Sequence, residues 1–86
     1  MSAPMRDTVM TPWRIQLLNH AANGQTNKQI GARYGHTGNA INLHFQTIYK
    51  AIGANSRPHA VALGILYGYI DPQQVQPMPT PTRDAA

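Results

Sequence analysis

A chain of 86 residues with a net charge of +4 and no cysteine describes at most one small domain. Disulfides and thiolate metal sites are excluded, and no apolar run approaches the length that spans a membrane, so a reducing, cytoplasmic setting is expected. The three acids are Asp7, Asp71 and Asp84; residues 10–70 carry Arg14, Lys28, Arg33, Lys50 and Arg57 against none, a balance that points to a polyanion, most simply nucleic acid.

Residues 1–9 show no periodicity and read as a loose arm. Thr11 then supplies the hydroxyl that caps a first helix, with Pro12 in the first turn, where its missing N–H is not needed, and Asn23-Gly24 at its end. Thr26 caps a short second helix that stops at Gly35, and Thr37 caps a third that runs to Ile52 and closes on Gly53. Ser56 caps a fourth, with Pro58 in its first turn and Gly68 after it. Nothing alternates with strand period, so the unit over residues 10–70 is expected to be all-α with four helices. Residues 71–86 hold four prolines among Gln and Thr, with too little apolar surface to offset ordering, and are expected to be mostly disordered.

The glycine spacing carries steric meaning. Counted from Asn27, Gly31 is the fifth residue, Gly35 the ninth and Ile41 the fifteenth. Two helices joined by a short turn cross steeply, and a small residue at the fifth place lets their backbones approach. Glycine at the ninth supplies the left-handed turn, and a branched side chain at the fifteenth fills the angle between the helices. A plain helical hairpin would satisfy the same spacing. In the third helix, Ile41, Phe45, Ile48 and Ile52 form one stripe, which must be the core face. Asn39, Asn42, Leu43, Gln46 and Lys50 gather opposite. A solvated face usually favours Glu and Lys, which are better helix formers. The amides point instead to recognition, since Asn and Gln pair with adenine N6 and N7 in a major groove.

With these features in place the sequence resembles the LuxR/GerE-type helix-turn-helix family of bacterial transcription regulators. The resemblance runs without gaps through "MTPWRIQLLNHAANGQTNKQIGARYG" and "HTGNAINLHFQTIYKAIGANSRPHAVALGILYGYI". Its marks are Thr11-Pro12, Gly24 before Thr26-Asn27-Lys28, Ile30, Ile41 with His44, Gly53, Ser56-Arg57 leading into Ala60-Val61-Ala62, and Gly68 with Ile70. It implies a third helix in the major groove of double-stranded DNA and a fourth that forms a dimer contact. By the same resemblance, base edges are reached from Asn42, Leu43 and Gln46, with Asn39 beside the groove. Phosphates are gripped from Thr26, Asn27, Lys28 and Lys50, with Thr37 beside them. The lysine usual at Asn42 and the usual acids of the first helix are missing, so binding is expected to be less electrostatic. Gly38 stands early in the third helix, at a cost in stiffness. The reading is of a stand-alone domain with no receiver or sensor domain, in which the family's usual switches have no place to act.

Other chemistry finds little support. His20, His36, His44 and His59 show neither the i, i+4 pairing nor the compact cluster of a zinc site, so no metal or cofactor is expected. All three carboxylates lie in the arm and tail, and no hydroxyl has an activating partner, so no catalytic site is expected. His44 is read as a packed, hydrogen-bonded structural group, and Trp13 and Tyr34 as core or core-edge groups. The fourth helix is apolar almost all round from Ala60 to Tyr67. One small domain cannot cover that surface, so a homodimer interface including Ala62, Leu66 and Tyr69 is expected. The competing function is a helix-turn-helix scaffold that binds another regulator or a host protein, as in a phage or mobile element.

Overall fold

The computed structural model describes residues 9–77. The arm expected over residues 1–9 lies outside the described residues except for Val9, and the tail expected over 71–86 does so beyond Pro77. Within the described residues there are four α-helices and no strand: α1 (Pro12–Ala22), α2 (Asn27–Tyr34), α3 (Gly38–Ile52) and α4 (Arg57–Leu66). A single 3-10 turn, Pro72–Gln74, follows them.

The same local chemistry opens every helix. The Thr11 hydroxyl accepts from the Arg14 amide at 3.3 Å, that of Thr37 from Ala40 at 3.0 Å, and that of Ser56 from His59 at 3.3 Å. Thr26 goes further and forms a reciprocal capping box: its hydroxyl accepts from the Gln29 amide at 3.1 Å, and its own amide donates to Gln29 Oε1 at 2.9 Å. Each such cap contributes about 1 kcal/mol to a helix that is too short to stand alone. The endings are equally uniform. Gly24, Gly35, Gly53 and Gly68 all take positive φ. The next amide in each case folds back onto a carbonyl five residues earlier: Gln25 to His20, His36 to Gly31, Ala54 to Tyr49 and Tyr69 to Gly64.

Stops this sharp leave three- and four-residue connections, so the helices must turn back on one another. α2 packs on α3, α1 on α3 and α4, and α3 on α4. The shared core is Leu17 and Leu18 of α1, Ile30 of α2, the stripe Ile41, Phe45, Ile48 and Ile52 of α3, and Ala60 of α4, closed by Met10 and Ile70. The stripe expected on the third helix is therefore the buried one.

Two glycines stand at close approaches. A Cβ on Gly31 would stand 2.3 Å from the His36 carbonyl oxygen and 3.1 Å from the Thr37 carbonyl carbon. The small residue thus admits the backbone of the turn that enters α3. Gly64, which the helix-turn-helix spacing does not mark, makes room for side chains between α4 and α1. A Cβ there would meet Ile70 Cδ1 at 2.6 Å and Leu18 Cδ2 at 2.8 Å.

Beyond Ile70, Asp71 Oδ1 accepts from the Gln73 amide at 2.9 Å and sets the 3-10 turn. The Gln76 amide then donates to Asn23 Oδ1 at 2.7 Å, which ties this segment to the end of α1. The side chains of 71–77 stay exposed.

Candidate nucleic-acid interface

Because Ile41, Phe45 and Ile48 are fully buried, helical geometry turns the opposite face of α3 outward. Asn39, Asn42, Leu43, Gln46 and Lys50 are all exposed on it. Leu43 is 61% accessible, amid amides and without an apolar neighbour on its own face. Thr47, on the flank, turns its hydroxyl back onto the Leu43 carbonyl at 3.4 Å, which satisfies its donor within the helix.

Beside this face lie two helix starts. A Cβ placed on Gly38 would stand 3.5 Å from the Lys28 amide nitrogen and 3.7 Å from the Asn27 carbonyl carbon, so the first turns of α2 and α3 touch. The contact brings Thr37 beside Thr26, Asn27 and Lys28, which lie nine or more positions earlier in the chain. Capping occupies the Gln29 and Ala40 amides. The amides of Asn27, Lys28, Gly38 and Asn39 have no acceptor inside their helices, and the positive ends of both helix dipoles lie on the same side. Thr26, Lys28 and Thr37 are exposed, whereas Asn27 is half-buried.

The burial of Asn27 has a cause that the sequence reading missed. Arg57, in the first turn of α4, donates from Nη1 to Asn27 Oδ1 at 2.7 Å and from Nη2 to the Gln25 carbonyl. Its guanidinium lies 4.6 Å from the centroid of Phe45. A planar fork over a ring with two acceptors at its edge is a task for arginine. Arg57 therefore fixes the start of α2 against α4 through the side-chain carbonyl oxygen of Asn27 and leaves the side-chain N–H groups of Asn27 uninvolved in that contact. The pair Ser56-Arg57 signalled position in the sequence, but nothing local to it named acceptors 30 residues away.

On the flank of α3 a single indole ring touches three successive elements. Trp13 meets Tyr34 of α2 edge-on at 4.9 Å, His36 of the turn at 5.6 Å and His44 of α3 at 5.9 Å, measured between ring centroids. His20 Nε2 and the Tyr34 hydroxyl share a hydrogen bond of 2.6 Å. Trp13 and Tyr34 thus sit at the core edge, as read from sequence. His44 is half-buried as well, and its contacts are to rings, where a hydrogen bond was expected. Burial lowers the pKa of His20 from its ordinary 6.5 and Arg33 adds to the effect, while the hydrogen bond that His20 makes to the Gln25 side chain acts the other way.

The fourth helix buries one narrow side through Ala60 and Gly64. Ala62, Ile65 and Leu66 remain exposed, with Leu66 at 73%. Tyr69 lies past the end of the helix and is half-buried; its carbonyl accepts from Asn19 Nδ2 at 2.9 Å, which anchors the turn to α1. Of the three residues expected at an interface, Ala62 and Leu66 share the open face of α4, and Tyr69 sits at its edge.

A short helix, a glycine turn and a second helix with an exposed amide face, braced by flanking helices, define a helix-turn-helix domain. Residues 8–63 match the bacterial regulatory proteins of the luxR family, and the chain belongs to that family. It is a family of regulators and not of enzymes. Among curated proteins the chain is similar to a probable transcriptional regulatory protein, SgaR, of Hyphomicrobium methylovorum, with 42% identity over 56 residues. It is also similar to the transcriptional activator proteins PhzR of Pseudomonas fluorescens and VanR of Vibrio anguillarum, at 35% and 33% identity over 64 residues each. These matches cover 65%, 74% and 74% of the chain but only 26%, 26% and 27% of the relatives, so the chain spans about a quarter of their length. No solved structure matches it significantly. No helix among the described residues is long and apolar enough to cross a membrane.

Proposed function

We propose that this chain is a sequence-specific DNA-binding regulator of transcription that lays α3 in the major groove and works in the cytoplasm as a homodimer. The observation that carries the reading is the exposed amide face of α3, flanked on one side by two adjoining helix starts. Helix starts with free amides attract phosphate oxygens, and a polar face beside them would stand where base edges lie. In this reading Asn39, Asn42, Leu43 and Gln46 meet base edges. Thr26, Asn27, Lys28, Thr37 and Lys50 hold the phosphates on either side. Ala62, Leu66 and Tyr69 form the contact with a second copy. The transcriptional roles printed for the three relatives support the same class of function.

Titration of duplex DNA at several salt concentrations tests this directly. Few basic groups are available, so about three to five phosphates are neutralised per domain, at roughly 0.9 in log–log slope for each. A binding constant indifferent to salt would rule the reading out. The open apolar end of α4 supports a second function, in which the scaffold docks on another regulator or a host protein. Its mark would be partner binding that survives changes at Asn42 and Gln46 but not at Leu66.

A further inference from the structure

We propose that the half-site recognised by α3 is read as A·T pairs, through amide contacts to adenine and an apolar contact from Leu43 to a thymine methyl. This rests on the DNA-binding reading and specifies its substrate. The chemistry follows from what the face holds and from what is kept away from it. In the major groove, adenine offers N7 as acceptor and N6 as donor, a pair that a carboxamide matches with its own donor and acceptor. Asn39, Asn42 and Gln46 are three such groups, exposed on adjoining turns. Guanine offers two acceptors, O6 and N7, and is read by arginine or lysine.

The arginines within the described residues do not lie on the α3 face. Arg14 is turned to the Val9 carbonyl, with Nη1 at 2.8 Å. Arg57 is held on Asn27, Gln25 and Phe45. Arg33 belongs to the last turn of α2, where it repels a proton on His20. Lys50 shares the α3 face but stands in its last turn, whereas a recognition helix meets bases from its first turns, so the lysine falls at the backbone.

Leu43 completes the case. It is exposed in the centre of the amides, while the other large exposed apolar groups among the described residues belong to α4 and the segment after it. A leucine there gains nothing from water or from a phosphate, and the one apolar group that the major groove presents is the C5 methyl of thymine.

The test uses the full chain and a pool of random duplexes at low salt, followed by synthetic variants of the selected duplex. The expected selection is a half-site whose contacted core is A·T. Exchanging a contacted thymine for uracil removes only the methyl and lowers affinity about four-fold, the worth of one buried methyl. Exchanging a contacted adenine for 7-deazaadenine removes the N7 acceptor and lowers affinity by about five-fold or more. Leu43→Ala, at an exposed helical position, abolishes the uracil effect and leaves the 7-deazaadenine effect intact. A selected core with guanine at the contacted positions overturns the inference and leaves DNA binding standing, as does a Leu43→Ala protein that still distinguishes thymine from uracil. Failure to bind any duplex overturns both.

Discussion

Gly31 and Gly38 look alike in the sequence, seven residues apart in the same motif, but their surroundings give them opposite roles. At Gly31 a Cβ would collide with a backbone carbonyl that cannot move without opening the turn. Gly31→Leu should lose about 1–3 kcal/mol, a large share of the margin of so small a core. At Gly38 the nearest foreign atom to a Cβ is 3.5 Å away and φ is not left-handed. Gly38→Ala should therefore gain about 0.5 kcal/mol by restricting the unfolded chain. Denaturant midpoints of the two variants should move in opposite directions, and a shift of the same sign would discredit the steric account. His20 gives a prediction of another kind. Its lowered pKa means that the unfolded chain takes the proton first as pH falls. Its contribution to stability is present in full above about 6.5, the unfolded value, and is lost as pH falls through the lower folded value. The melting temperature should drop between pH 7.5 and 5.5, and His20→Asn should shrink that drop. The reasons for Gly31 and for the caps could be read from the sequence because they are set within a few residues. Gly64 could not, because it faces Leu18, 46 positions earlier in the chain.

Among elements, the order and ends of the helices were legible because a hydroxyl opens each one and a glycine closes it. The outward face of α3 was legible too, since four apolar residues at helical spacing leave only one side for the core. What joins one helix to another was not. The grip of Arg57 on Asn27 and Gln25 spans 30 and 32 residues and uses a ring from a third helix, so no window of sequence contains it. Arg57→Lys keeps the charge but loses the fork. It should lower stability by about 1–3 kcal/mol, the worth of charge-assisted hydrogen bonds, and loosen the start of α2. Chemical denaturation would measure the first effect, and amide exchange at Gln29 and Ile30, the first bonded amides of α2, the second. Unchanged protection there would mean that the capping box alone holds the helix.

For the whole molecule, the exposed side of α4 is the surface on which the proposed dimer rests. A second copy related by a two-fold axis would bury Ala62 and Leu66 against themselves and set two α3 helices about 34 Å apart, one turn of the duplex. Leu66→Glu should then weaken binding to an inverted repeat and remove its cooperativity, with binding to a single half-site retained. Equal affinity of parent and variant for the full site would assign this surface to a different partner. The apolar circumference of the fourth helix gave notice of such a surface in the sequence, but the share already claimed by Gly64, Leu18 and Ile70 emerged only from the packing.

The run of residues 10–70 without an acid has a consequence for the free protein. Arg14, Lys28, Arg33, Lys50 and Arg57 have no carboxylate among them, so the folded domain gathers like charges that an unfolded chain holds farther apart. Added ions relieve this self-repulsion while they compete with the protein for phosphate. One change in ionic strength should thus raise the melting temperature of the free domain and lower its affinity for DNA. The polyanion becomes the missing counter-charge of the fold, and the complex should melt above the free protein by the widest margin in dilute buffer.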